Sequence, residues 1–124
     1  MDASARIDGP GARILLVEDD LALRRAMCRG LEQRGHTVEV ADDGLDGWQR
    51  IQAASPDFDL VITDSRMPRM PGRVLVAMLR EQFPEVKILR VTGGEANYGD
   101  GIPSLGKPFT LDELGAAVRK ALAP

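Results

Sequence analysis

Short apolar runs alternate with stretches of helical period along nearly the whole chain, and this alternation limits most strongly what it can fold into. The runs are Arg13–Val17, Thr37–Ala41, Leu60–Thr63, Lys87–Val91 and a weaker one at Ser104–Gly106. Leu60-Val61-Ile62 is apolar on both faces, as a strand covered on both sides requires. Between the runs lie helical stripes: Leu23, Met27 and Leu31, stopped at Gly35; Leu45, Trp48 and Ile51, closed by Ser55-Pro56; Val74 and Met78 with Leu75 and Leu79, ending before Pro84. The last stripe, Leu111, Leu114, Val118 and Leu122, opens with Thr110 and Glu113 in capping-box spacing. Such alternation with short loops predicts an α/β domain, a doubly wound five-stranded parallel sheet in the flavodoxin-like order 2-1-3-4-5.

The 124 residues suffice for one domain, read as 13–122, behind a leader or linker at 1–12 that Gly9-Pro10-Gly11 keeps irregular. With 19 acidic against 16 basic side chains the chain lacks the basic excess of a nucleic-acid binder. Its one cysteine, Cys28, excludes a disulfide framework or a cysteine-based zinc site and reads as a partly buried filler. No apolar run approaches the roughly 18 residues of a membrane span, and the first residues have no secretory apolar region, so a cytoplasmic protein is expected. His36 reads as solvated, Trp48 as core, and Arg24, Arg25 and Arg29 as an exposed helix face.

Ligands of such sheets bind beyond the carboxyl ends of the strands. Glu18-Asp19-Asp20 follow strand one, Asp64 follows strand three, Thr92-Gly93-Gly94 follow strand four, and Lys107-Pro108 follow strand five. Strand two, ending in Ala41-Asp42-Asp43, offers nothing comparable. In the expected order strands one and three are neighbours, so the acidic cluster and Asp64 lie side by side. Clustered carboxylates repel unless a cation joins them, and an all-oxygen set with a backbone carbonyl suits Mg²⁺ better than zinc. A carboxylate beside the metal can attack phosphorus and form an aspartyl phosphate. Lys107 and Thr92 then offer an ammonium and a hydroxyl to the phosphoryl oxygens, and Gly93 and Gly94 keep the approach open.

Four segments, ILLVEDD at 14–20, DLVITDSRMPRMPG at 59–72, VTGG at 91–94 and GKPF at 106–109, together resemble a two-component response-regulator receiver domain, over residues 13 to about 122. The resemblance implies that Asp64 is the phosphoacceptor and that Glu18 and Asp19 form the acidic pair, Asp19 the more direct metal ligand. It gives Arg66 the backbone carbonyl that completes the Mg²⁺ shell, Thr92 the switch hydroxyl, and Lys107 the phosphate-binding ammonium, its bond to Pro108 typically cis. Asp20 fits an N-cap for the first helix instead. The implied partner is a histidine kinase or histidine phosphotransfer protein, which in this family commonly meets the first helix.

Two departures stand out. Only 14 residues separate Thr92 from Lys107, and EANYGDGIPS carries Gly99, Gly101 and Pro103, so the fourth helix, between strands four and five, is expected to be short or absent. The switch aromatic's position, three before the lysine, is Ser104, and Tyr98 is out of register. Both weaken the usual route from phosphorylation to output and disfavour dimerisation through that helix, favouring a monomer. They fit the stand-alone and hybrid-histidine-kinase types of receiver, and with the sequence ending at Pro124 no DNA-binding effector is expected. Two further functions compete. One is a phosphorylation-independent docking module with a vestigial site, suggested by the eroded helix and opposed by the complete acidic set with Thr92 and Lys107. The other is a phosphatase with an aspartyl intermediate, which needs a second acid two residues after the nucleophile, where Arg66 stands. A phosphate-binding GxxxxGK[ST] segment is missing. The chain is thus expected to be no enzyme beyond its own aspartyl phosphorylation and dephosphorylation.

Overall fold

The computed structural model describes residues 11–54, 57–66, 69–94 and 99–123. Among them run β1 (Arg13–Val17), α1 (Leu21–Gln33), β2 (Thr37–Ala41), α2 (Gly44–Ala54), β3 (Leu60–Asp64), α3 (Gly72–Gln82), β4 (Lys87–Thr92), β5 (Ser104–Gly106) and α4 (Leu111–Leu122). All strand pairs are parallel, in the order β2-β1-β3-β4-β5. Strand alternation sends Leu15, Val17, Val61 and Ile88 to one face, against Trp48 and Ile51 of α2 and Leu75, Val76 and Leu79 of α3. Ile14, Leu16, Leu60, Ile62, Leu89 and Val91 go to the other, against Met27 and Leu31 of α1 and Leu114 and Val118 of α4. Two apolar faces on one sheet explain why the strands carry so few outward polar residues.

Helix ends follow local chemistry. Asp20 caps α1 by accepting from the Leu23 N–H at 3.1 Å. At α4, Thr110 Oγ1 accepts from Glu113 N–H while Glu113 Oε1 accepts from Thr110 N–H, completing the capping box. None of the described residues between β4 and β5 is helical, in keeping with a reduced fourth helix; Tyr98 lies outside the described residues, as do residues 1–10, Ser55-Pro56 and Met67-Pro68.

Three readings need correction. The inward face of α3 is Leu75, Val76 and Leu79, with Val74 exposed, because the stripe is rotated by one position. His36 is half-buried, and its Nδ1 accepts from the Ala12 N–H at 3.0 Å. Ala12 is itself buried, its carbonyl accepting from Thr37 N–H. Arg24 leaves the exposed face of α1 to donate to the Glu18 carbonyl at 2.8 Å, while Arg25 and Arg29 stay exposed.

Sequence reasoning also missed Arg90. On β4 it points toward the α2–α3 face, 2% exposed, and its guanidinium holds both carboxylate oxygens of Asp100 at 2.7 and 3.3 Å. That pair ties the β4–β5 connection over the sheet, where Ile102 also packs on the core. A charge inside an apolar strand leaves little sequence signal, because its partner stands ten residues away in an irregular segment.

Candidate functional site

Glu18 leaves the end of β1 with its N–H donating to the Ala41 carbonyl, which fixes its side chain beneath the sheet's carboxyl edge. It is 1% exposed; Oε2 accepts from the Asp20 N–H at 3.1 Å, whereas buried Oε1 has no hydrogen-bond donor. Asp64 ends β3, and Asp19 is exposed beside them. One carboxylate oxygen from each of Glu18, Asp19 and Asp64 lies within 4.8 Å of the others. From the far side, Lys107 Nζ approaches Asp64 Oδ2 at 3.2 Å and Glu18 Oε1 at 3.4 Å. The second approach is an ion pair lacking hydrogen-bond geometry, which leaves Oε1 undersatisfied.

The electrostatics follow from this crowding. Burial, reinforced by the Asp64 charge and opposed by the Asp20 N–H and Lys107, pushes the Glu18 carboxyl up to about 7. Burial lowers the Lys107 ammonium's affinity for its proton, but Asp64 and Glu18 more than offset it, and the net shift is upward. One ammonium thus faces two carboxylates with a third close by, an excess of negative charge in a largely buried site. The undersatisfied Glu18 Oε1 and the all-oxygen donor set suit a hard divalent cation such as Mg²⁺.

Thr92 ends β4, buried, and its Oγ1 accepts from the Gly94 N–H at 3.2 Å. Its carbonyl accepts from Lys107 N–H at 2.8 Å, so Thr92 and Lys107 are coupled through the backbone, and the Lys107-Pro108 bond is cis. Asp64 is in register with Val91, one residue before Thr92, which brings the hydroxyl to the same edge. Arg66 N–H donates to Asp64 Oδ1 at 3.3 Å. A cavity of about 720 Å³ lies among Phe58, Phe83 and Lys87, residues of the strands' opposite end, and has no part in this cluster.

Strand two contributes more than its sequence suggested. Asp43 is 6% exposed; Oδ1 accepts from the Asp46 N–H at the start of α2, and Oδ2 accepts from Arg69 Nε at 2.6 Å. The Asp43–Asp46 spacing at a helix start was the available signal, and Arg69 comes from the loop after Asp64.

The model of one family, "Response regulator receiver domain", matches residues 14–119. The chain is 34% identical over 118 residues to the sensor kinase CckA of Brucella abortus (strain 2308), covering 90% of this chain and 12% of that protein. It is 37% identical over 120 residues to the response regulator MprA of Mycobacterium ulcerans (strain Agy99), covering 89% and 50%. The chain therefore spans half or less of the length of these relatives. Among solved structures, the receiver domain from the hybrid histidine kinase CckA superposes with a TM-score of 0.79 at 31% identity, covering 90% of this chain and 99% of that one. The Vibrio cholerae chemotaxis protein CheY4 gives 0.81 at 28%, with 90% and 99% covered.

Proposed function

The chain belongs to the response regulator receiver domain family of two-component signalling, and from that premise we propose that it accepts a phosphoryl group on Asp64 from a histidine kinase or histidine phosphotransfer protein. The observation that carries this reading is the ion pair between Lys107 and Asp64, closed against Glu18, at the carboxyl edge of the sheet. An Asp64 oxygen attacks phosphorus opposite the donor nitrogen; the O–P bond forms, the N–P bond breaks, and the electron pair stays on the imidazole nitrogen. Lys107 neutralises charge on the transferred oxygens. Thr92, whose Oγ1 accepts from Gly94, keeps its own proton to donate to one of them.

Glu18, Asp19, Asp64 and the Arg66 carbonyl are the residues that would hold Mg²⁺, which when bound supplies charge neutralisation between carboxylates and phosphoryl group. The donor would meet α1, where Leu21, Arg25 and Arg29 are exposed, and a cytoplasmic setting follows from ATP-charged donors. Receiver domains are not classical enzymes, and the chemistry proposed is confined to Asp64 itself. No helix among the described residues is long and apolar enough to cross a membrane.

Incubation with a small-molecule phosphodonor and Mg²⁺, followed by intact-mass measurement, tests the reading. One added phosphoryl group, lost in Asp64→Asn, is expected; no adduct on the folded protein under donor excess overturns it.

A further inference from the structure

The segment between β3 and α3 is tied down at both ends of its course. At Gly72, the first residue of α3, a Cβ would lie 2.1 Å from the Asp64 carbonyl oxygen, so only glycine lets the helix start against the end of β3. At Gly44, the first residue of α2, a Cβ would lie 2.2 Å from the Met70 carbonyl oxygen. Met70 thus lies directly on the start of α2. Between these close approaches stands Arg69, the one non-glycine residue with positive φ (68°) among those described. A left-handed conformation strains any residue that carries a Cβ, and something has to hold it there. Arg69 Nε donates to buried Asp43 Oδ2, whose other oxygen caps α2.

The same loop carries Arg66, whose N–H reaches Asp64 Oδ1. Resting on the Mg²⁺ reading above, we propose that the Asp43–Arg69 pair is a positioning latch for the metal site: it holds the loop on α2 and so sets where Arg66 stands relative to Asp64. Arg69 pairs with Asp43 and Asp43 with the start of α2, so both act through the loop. Outer-shell partners that orient ligands are worth about 10–100-fold in metal affinity.

Mn²⁺, an oxygen-seeking stand-in for Mg²⁺ whose free ion is counted by paramagnetic resonance, is titrated into the intact chain, Asp19→Ala, Arg69→Met and Arg69→Gly. Wild type is expected to bind, and Asp19→Ala is expected to lose most of that binding. Both Arg69 variants are expected to bind about tenfold more weakly. Removing a cation on charge alone tightens Mn²⁺ binding, so weakening reports position. Arg69→Gly separates latch from scaffold, because both variants take the partner from Asp43 but only glycine accepts the positive φ; its urea midpoint is expected to fall less than that of Arg69→Met while its affinity falls as far. Affinity within twofold of wild type in both Arg69 variants, with wild-type binding intact and Asp19-dependent, overturns the latch alone. No binding by wild type overturns the metal reading and the latch together.

Discussion

Lys107 Nζ stands 3.2 Å from Asp64 Oδ2, the contact that joins the end of β5 to the end of β3 across β4. The Lys107 backbone N–H meanwhile holds the Thr92 carbonyl on the intervening strand. A single residue therefore sets both an ammonium against the proposed nucleophile and the register of the hydroxyl beside it.

Lys107→Ala removes that ammonium while leaving the backbone contact possible. The initial rate of adduct formation from a small phosphodonor is expected to fall about 100-fold, the scale of losing one preorganised donor to a developing charge. Lys107→Arg should recover part of it. A rate within a few-fold of wild type in Lys107→Ala would remove the lysine from the chemistry.

Mg²⁺ is expected to link to stability through the same carboxylates. At ten times its dissociation constant the ion should stabilise the folded chain by about 1.4 kcal/mol, read as a shift in the urea midpoint. Asp19→Ala should abolish most of that shift without much loss of stability in metal-free buffer, since Asp19 is exposed. An equal Mg²⁺ response in the variant contradicts the ligand set.

His36 makes stability depend on pH. Burial, helped by the nearby Arg34 charge, holds its folded pKa below the ordinary 6.5, and its Nδ1 must be unprotonated to accept from Ala12 N–H. A depressed folded pKa means that the contribution is present above 6.5 and is lost as pH falls through the folded value. The wild-type urea midpoint should therefore drop more than that of His36→Asn, whose amide oxygen offers a pH-independent acceptor, when both are compared at pH 7.5 and in mildly acidic buffer. Parallel pH profiles would contradict this assignment.

Arg90 and Asp100 pair on the α2–α3 face of the sheet, and the guanidinium pulls the Asp100 carboxyl down to about 2. Asp100→Ala removes this partner from a guanidinium that is 2% exposed. It should cost about 2–3 kcal/mol, below the usual range for breaking a fully buried pair because Asp100 keeps part of its side chain in water. Arg90→Met with Asp100→Ala should cost less than Asp100→Ala alone; chemical denaturation of wild type and the two variants checks it.

How much of this the sequence discloses depends on the range of the interaction. The strands are written as short apolar runs and the α4 capping box as an i, i+3 pair, so Arg13–Val17, Thr37–Ala41 and the Thr110–Glu113 pair are legible directly. The parallel order then carries Glu18, Asp64, Thr92 and Lys107 to one edge, because residues following parallel strands share an end of the sheet. What stays hidden is side-chain pairing across irregular segments. Arg69 reaches Asp43 from a loop with no period, Arg90 finds Asp100 in another, and His36 meets the backbone ahead of β1. The rotation of α3 is hidden for a related reason: Val74 and Val76 are equally apolar, and only the packed sheet decides which faces inward.

The most direct test locates the phosphoryl group itself. After exposure to phosphodonor and Mg²⁺, borohydride reduces the acyl phosphate of the phosphorylated side chain to an alcohol with release of phosphate, and peptide mass mapping reads its position. The account predicts a mark at Asp64 alone, absent without donor; a mark at Asp19 or at any other carboxylate, with Asp64 untouched, would contradict it.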